Sequence, residues 1–261
     1  MIELGTPLCK WDLAINYGVK TGFNDAFIIS AEKKDELIAA DPKSAELIRP
    51  ILRGRDIKRY SCNFANLWII NVHNGLKDKN LPPIDINAYP AIKSHLDSYY
   101  LKLSMRADKG DTPYNLRNCA YMNDFLKQKI VYPETTQGAY FYLDNDGFFV
   151  DKTCFMMLSD TPEYLVATLS SRLFEYAYKR IFSSIELGQS AYQYNKHALL
   201  KLPVIRPEKV PQKEYEEIVL NVRALQETDS CKIASEHVEA IDEIINCIYN
   251  LTAEEIDYIN S

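Results

Sequence analysis

The sequence predicts an α/β domain of mixed α+β type over residues 1–207, followed by a helical segment over residues 208–261. Short apolar runs bounded by turn residues recur along the first part, which is typical of strands. Amphipathic stretches with helical spacing lie between them. After Pro207 and Pro211 the spacing is helical almost to the end, and such helices need a surface to pack on. We therefore expect one main domain with a helical appendage.

The first half of the chain alternates strand and helix patterns. Clustered β-branched and aromatic residues indicate short strands, whereas apolar residues three and four positions apart indicate helices. Asp41-Pro42 predicts a second helix start within one helical stretch, with Asp41 as N-cap and Pro42 at the first helical position. Strands are expected at residues 11–15, 26–29 and 67–72, a turn at residues 18–24, and helices at residues 32–48 and 84–103.

After a turn-rich stretch at residues 104–128, the pattern becomes β-like and then helical. Residues 144–147, with the sequence DNDG, are typical of a hairpin turn, so the strands on either side are expected to pair. Thr161 precedes Pro162 and predicts the N-cap of a helix. Strands are expected at residues 129–132, 139–143, 147–150 and 154–158, and helices at residues 161–180 and through residues 208–259.

Charge is unevenly distributed along the chain. The net charge is −6, but residues 208–261 hold 13 acids and 4 bases, so the remaining 207 residues are slightly basic, with 23 acids and 26 bases. Within them Arg53, Arg55, Lys58 and Arg59 place four cations within seven residues. A local basic cluster of this kind is what a polyanion requires, although a solvated charged turn has the same composition.

The sequence carries no pattern typical of a membrane span, an export signal or a disulfide framework. No stretch of about 18 uncharged apolar residues occurs, and the first residues lack the basic and apolar order of a signal peptide. The six cysteines are scattered without a CxxC pair, which favours reduced, mostly buried thiols over zinc binding. We expect a cytoplasmic protein with no membrane partner.

Patterns of catalytic residues are also missing. The nearest approach to the polar-Pro-Pro-aromatic turn of an amino-methyltransferase is LPPI at residues 81–84, which lacks both the polar and the aromatic residue. No phosphate loop, nucleophile elbow or metal-binding histidine pair occurs. Asp25, Glu32 and Lys34 follow the order of a magnesium nuclease, but such short patterns recur by chance. No catalytic residue, metal or cofactor is predicted for this chain.

Three segments carry groups suited to a nucleic acid. In the turn at residues 20–24, Lys20 and backbone amides suit a phosphate, and Asn24 suits an adenine edge. At residues 53–56 the arginines suit guanine and Asp56 is placed to orient one guanidinium. The segment at residues 183–196 is rich in side chains that both donate and accept hydrogen bonds. Ordinary turns and solvated loops have similar compositions.

Several stretches in fixed order resemble one known family. Together they are similar to the target-recognition region of type IIG restriction-modification enzymes, the TaqI-like C-terminal specificity domain, and the likeness runs over nearly the whole chain. The stretches are YGVKTGFNDAFII at 17–29, LIRPILRGRDIKRY at 47–60, LWIINVHNG at 67–75, KIVYP at 129–133 and FYLDNDGFFVDKTCFMM at 141–157.

This resemblance implies a target-recognition domain that binds double-stranded DNA sequence-specifically, with the C-terminal helices bracing it. It also implies that adenine-specific methyltransferase and nuclease domains, which use S-adenosylmethionine and magnesium, precede this region in the same polypeptide. The chain alone would then be non-catalytic and would direct their methylation and cleavage. Contact residues differ with each target, so position and chemistry alone predict them. We predict DNA binding at Lys20, Thr21, Gly22, Asn24, Arg53, Gly54, Arg55, Lys58, Arg59, Gln189, Tyr192, Asn195 and Lys196.

Two other interpretations remain open. In the first, the chain is a structural or protein-interaction subunit whose acidic helical tail docks a partner through residues 215–248, and the basic turn is incidental. In the second, the chain is a self-contained nuclease that uses Asp25, Glu32 and Lys34.

Overall fold

Two four-stranded sheets organise the chain. The computed structural model describes residues 1–76, 80–182, 186–187, 191–228 and 230–261. Its strands are β1 (Thr6–Pro7), β2 (Leu13–Tyr17), β3 (Ile28–Ser30), β4 (Ile48–Leu52), β5 (Leu67–Ile70), β6 (Lys129–Pro133), β7 (Thr135–Thr136), β8 (Tyr142–Asp144), β9 (Phe149–Val150), β10 (Cys154–Ser159), β11 (Glu186–Leu187), β12 (Ala191–Gln193) and β13 (Pro203–Val204). Its helices are α1 (Asn24–Phe27), α2 (Ala31–Ala40), α3 (Pro90–Asp97), α4 (Tyr100–Met105), α5 (Pro162–Ser170), α6 (Arg172–Ala177), α7 (Lys196–Leu199), α8 (Gln212–Glu227), α9 (Cys231–Ile248) and α10 (Ala253–Asn260).

The two larger sheets differ in strand direction. The first sheet has the antiparallel order β2-β10-β6-β8. The second sheet has the order β3-β5-β4-β9, in which β4 and β9 run parallel and the other pairs are antiparallel. A small sheet, β11-β12-β7, and the pair β1-β13 complete the strand arrangement of the described residues. The mixture of helices and sheets confirms the predicted fold class.

Side chains of the first sheet alternate between two hydrophobic cores. Ile130 and Tyr132 belong to the first core, whereas Val131 between them belongs to the second. Met156 and Met157 of β10 divide in the same way. Because both faces of these strands are buried, their sequences are continuous apolar runs without the alternation of a half-exposed strand.

The C-terminal helices cover the first core. Ile218 and Val222 of α8 and Ile241 and Ile245 of α9 are almost completely buried among its residues. The helices predicted from residue 208 onward are therefore confirmed, and their apolar stripe packs within the chain itself. The boundary at residues 207 and 208 stays a prediction, although the two parts share this core.

Side-chain hydrogen bonds begin two short helical segments, and the one at Asp41 confirms the predicted N-cap. The Asp41 carboxylate accepts a bond of 3.2 Å from the backbone N–H of Lys43, and Pro42 occupies the first helical position. The helix that follows is only a short 3₁₀ turn, after which the chain enters β4. The Asp85 carboxylate accepts a bond of 3.0 Å from the N–H of Asn87 in the same manner.

The prediction of a hairpin around residues 144–147 is wrong. The turn itself forms, because Asp144 Oδ1 accepts bonds from the N–H groups of Asp146 and Gly147, and Gly147 adopts a φ of +74°. However, β8 before the turn pairs with β6, and β9 after it pairs in parallel with β4. Burial of Phe149 in the second core places β9 in the second sheet.

Three other predicted elements are interrupted. The strand expected at residues 26–29 begins as the helical turn α1, and only β3 is extended. The helix expected at residues 84–103 divides into a 3₁₀ turn, α3 and α4. The helix expected at residues 161–180 divides into α5 and α6, because the Ser171 hydroxyl starts α6 by accepting a bond from a backbone N–H. Thr161 occupies the N-cap of α5, but its side chain makes no capping bond.

Two expectations drawn from composition concern membrane-spanning helices and the burial of the cysteine thiols. None of the helices in the described residues combines the length and the apolar character needed to cross a membrane. The expectation of mostly buried thiols is wrong for the described cysteine side chains, because only Cys154 is buried. Cys62 and Cys119 are half-buried, and Cys9 and Cys247 are exposed.

Candidate nucleic-acid interface

The turn after β2 presents Lys20 and Asn24 to solvent. Gly22 has a φ of +69°, and a Cβ atom there would lie 2.9 Å from the carbonyl oxygen of Asp108, so glycine is required. Thr21 is only 3% exposed, and its hydroxyl donates to Asn24 Oδ1 and accepts from the N–H of Phe23. The predicted contact at Thr21 is therefore corrected, because this side chain shapes the turn from inside.

A buried arginine fastens this turn. The Arg106 guanidinium donates to the carbonyl oxygens of Thr21 and Pro113 and lies over the ring of Phe27, 4.6 Å from its centre. Burial lowers the pKa of Arg106 to about 10. Sequence reasoning missed this residue, because Arg106 and Thr21 are 85 positions apart and no local pattern connects them.

The second predicted turn is fastened from two sides. The Arg53 guanidinium donates to both carboxylate oxygens of Asp56, at 2.9 and 2.8 Å. The backbone N–H of Gly54 donates to Thr153 Oγ1 at 3.0 Å. Arg55 is exposed, and the ammonium group of Lys58 lies 5.5 Å from the ring centre of Tyr140. The turn thus holds one oriented guanidinium and two further cations at the surface.

Arg59 forms an ion pair within the chain. Its guanidinium donates at 3.0 Å to both carboxylate oxygens of Asp242 on α9, which also accepts from the backbone N–H of Arg172 at 2.9 Å. The Asp242 side chain is only 10% exposed. Arg59 thus connects the basic turn to the helical tail, and its contact with DNA stays a prediction.

Breaking this connection is expected to destabilise the chain. The substitution Asp242→Ala leaves the half-buried Arg59 without its partner, and we expect a loss of about 2–3 kcal/mol in the free energy of unfolding, measured by urea denaturation. The control is Glu163→Ala, which removes a pair with Arg223 whose side chain is 62% exposed. A loss below about 1 kcal/mol is expected there. Equal losses in both variants would contradict a structural role for the Arg59 pair.

In the described part of the third predicted segment, three of the predicted contact residues are buried or hydrogen-bonded within the fold. Tyr192 is 3% exposed and packs against Tyr178 and Tyr194. The Asn195 side chain caps α7 by accepting from a backbone N–H at 2.8 Å, and Lys196 Nζ donates to a backbone carbonyl of β2 at 2.8 Å. The predicted contact of the Tyr192 side chain is corrected because the ring is buried, whereas the contacts of Asn195 and Lys196 stay predictions. Gln189 lies outside the described residues.

Two adjoining clefts bring the first two turns together. The first, of about 600 Å³, is lined by the turn of Arg53 and by residues that follow β6. The second, of about 660 Å³, is lined by Lys20 and by residues of the segment before β6. Glu134 and Thr153 line both clefts. We call the two clefts together the basic groove.

Cations outnumber acids along the basic groove. Its lining includes six cationic and two acidic side chains. Of the acids, Asp151 is 7% exposed and accepts from the N–H and hydroxyl groups of Thr153, so that it is used inside the structure. A surface with this excess of cationic side chains favours a polyanionic ligand. The cations are Lys20, Arg53, Arg55, Lys58, Arg117 and Lys152.

Sequence reasoning missed several groove residues. Arg117 and Asn118 come from the turn-rich stretch before β6, which has no periodic pattern, and Lys152 follows β9. Thr135 and Gln137 are exposed beside the first cleft. Only long-range packing of the two sheets places these polar side chains beside the predicted turns.

Glu32 and Lys34 of the possible nuclease pattern form other contacts. Lys34 pairs with Asp35 at 3.1 Å and lies over the ring of Trp68. Glu32 lies in the first turn of α2, where a hydrogen bond with Ser30 lowers the pKa of its carboxyl. In the described ranges, no group of three or more His, Cys, Asp or Glu side chains is placed to hold a metal ion.

Comparison with known proteins identifies the class of this chain. Residues 49–204 match the family described as the TaqI-like C-terminal specificity domain. The chain belongs to this family, which is the family of specificity domains of restriction-modification enzymes. The matched residues include the basic turn at residues 53–59, strands β5, β6 and β10, and most of the basic groove.

Two solved restriction enzymes share the fold. The type IIL restriction-modification enzyme MmeI, determined in complex with DNA, superimposes with a TM-score of 0.69 at 13% identity, over 95% of this chain and 34% of that chain. The type IIG restriction endonuclease BpuSI superimposes with a TM-score of 0.54 at 12% identity, over 95% of this chain and 31% of that chain. The chain thus spans about a third of the length of each solved protein.

Proposed function

We propose that this chain recognises double-stranded DNA sequence-specifically and directs adenine methylation and cleavage by methyltransferase and nuclease domains of the same polypeptide that lie outside it. The chain itself is non-catalytic in this proposal. S-adenosylmethionine and magnesium belong to those other domains, and the protein acts in the cytoplasm, where its DNA substrate lies. Membership of a specificity-domain family supports the proposal.

The basic groove is the observation that carries this proposal. Two turns more than 30 positions apart in the sequence present their cations along one surface, with exposed Thr135, Gln137 and Asn118 beside them. Cations neutralise phosphates and fix the position of a duplex, whereas neutral donor and acceptor groups distinguish base edges. A specificity domain needs both kinds of group on one face, and the groove provides both.

The interaction-subunit alternative loses its main support. It predicts a helical oligomerisation face along residues 215–248. Most of the large apolar side chains of this stretch are already used within the chain, whereas Leu220 and Ile233 are exposed. Those in the first core or packed against it are Tyr215, Ile218, Val222, Leu225, Val238, Ile241, Ile244, Ile245 and Ile248.

Selection from a randomised duplex library tests the proposal directly. The purified chain is incubated with the library at low and at moderate salt, without metal or cofactor, and bound duplexes are sequenced. We expect one short motif to be enriched and to persist at the higher salt, because base contacts are less salt-dependent than phosphate contacts. Binding without a motif would reduce the chain to a phosphate-binding module, and absence of binding at low salt would overturn the proposal.

A further inference from the structure

A carboxylate such as that of Glu134 is not expected in a groove that binds only phosphates. It lines both clefts of the basic groove, at the position where they meet. A carboxylate there repels every phosphate that the surrounding cations attract. Its partly exposed side chain makes no hydrogen bond or ion pair within the described parts of the chain. A ligand that enters the groove therefore meets a carboxylate as well as cations.

The backbone of Glu134 is held from both sides. Its N–H donates to the carbonyl oxygen of Thr153 at 2.8 Å, and its carbonyl oxygen accepts from the N–H of Tyr194 at 2.8 Å. Directly after it, Thr136 in β7 pairs with Tyr192 in β12. Two separate parts of the fold thus fix the position from which the carboxylate extends. Such preorganisation is typical of a residue that recognises a partner with defined geometry.

We propose that Glu134 reads a base of the DNA target, accepting a hydrogen bond from an exocyclic amino group, with cytosine N4 as the preferred donor. This inference rests on the proposed function. A carboxylate only accepts hydrogen bonds at neutral pH, and among the groups in the major groove only the amino groups of cytosine and adenine donate to it. The cations on both sides of Glu134 bind the backbone of the duplex and bring the base edge within reach of the carboxylate.

This assignment predicts opposite changes for two kinds of DNA. Glu134→Ala and Glu134→Gln remove a negative charge from a cationic groove, so affinity for an unrelated duplex is expected to rise by about 2- to 5-fold at low salt. Discrimination at one base pair of the selected motif is expected to fall by about 5- to 100-fold. A residue that only supports the fold would weaken binding to both kinds of duplex or to neither.

The test compares the wild type, both Glu134 variants and the control Glu208→Ala in library selection and in binding to two fixed duplexes. Glu208 is an exposed acid outside the groove lining, so its loss is expected to leave motif and affinities unchanged. The Gln variant preserves the shape of the side chain. A selected motif that is identical in the wild type and both Glu134 variants would overturn the inference while leaving the proposed function intact. Failure of the wild type to select any motif would overturn both.

Discussion

Replacing Lys20, Arg55, Lys58 and Lys152 together with glutamine is expected to weaken binding to any duplex by about 10²- to 10³-fold at low salt. All four side chains line the basic groove, and none of them forms an ion pair within the described residues. Each cation that neutralises a phosphate releases a counterion, so the slope of log affinity against log salt is expected to decrease by about 3 to 4. Fluorescence titrations of a labelled duplex at several salt concentrations measure both quantities.

A matched variant separates the location of these charges from their number. Lys10, Lys201, Lys209 and Lys232 are also exposed, and none of them lines the groove. Their joint replacement by glutamine changes the net charge by the same amount, and we expect the salt slope to change by less than about 1. If the control variant lost as much affinity as the groove variant, binding would depend on total charge, and the groove would not be the interface.

A buried ion pair between strands β6 and β8 of the first sheet accounts for the largest expected effect on stability. The ammonium group of Lys129 and the carboxylate of Asp144 are both completely inaccessible to solvent and pair with each other. The ammonium also donates to the carbonyl oxygen of Phe125, and the carboxylate accepts from the N–H groups of Asp146 and Gly147. Burial lowers the pKa of Lys129 and raises the pKa of Asp144, because both lose hydration in their ionised forms.

The substitution Lys129→Met is expected to cost about 3–5 kcal/mol in the free energy of unfolding, because it leaves the Asp144 charge buried without a partner. Urea denaturation measures this loss. Lys127→Met, two positions away, removes an ammonium group that is 60% exposed and pairs with Asp124, and a change below about 1 kcal/mol is expected. Adding Asp144→Asn to Lys129→Met should recover part of the loss. Equal losses for Lys129→Met and Lys127→Met would contradict this account.

The loss in the free energy of unfolding caused by Lys129→Met should also depend on pH. Without the ammonium group, the pKa of Asp144 in the folded state rises further above its value in the unfolded chain. A group with a raised pKa in the folded state favours folding when it is protonated, and this contribution is lost as the pH rises through that pKa. The deficit relative to the wild type is therefore expected to be smaller at about pH 5 than at about pH 8. A deficit that grows on acidification would show that another group is responsible.

Local sequence features predicted helices, strands and turns better than they predicted which strands pair with each other. The tail helices, β5 and the cap at Asp41 follow from apolar spacing and from hydrogen bonds between close neighbours. The turn at residues 144–147 was also recognisable, but the strands that it joins enter different sheets. Which strand pairs with which depends on the burial of residues such as Phe149 in the second core, and no short segment contains that information.

The candidate site, like the fold, was only partly predictable from the sequence. The sequence by itself determined that cations cluster at residues 53–59, that a glycine turn follows β2 and that the chain resembles a specificity domain. Only the tertiary structure decided how these groups are arranged: it joined the two turns along one groove, placed Glu134 in the lining of both clefts, and directed Arg59 to Asp242, a partner 183 positions away. Composition and spacing report short-range preferences. A side chain's hydrogen-bond partner and exposure depend on contacts between distant segments, which form only when the sheets and helices pack.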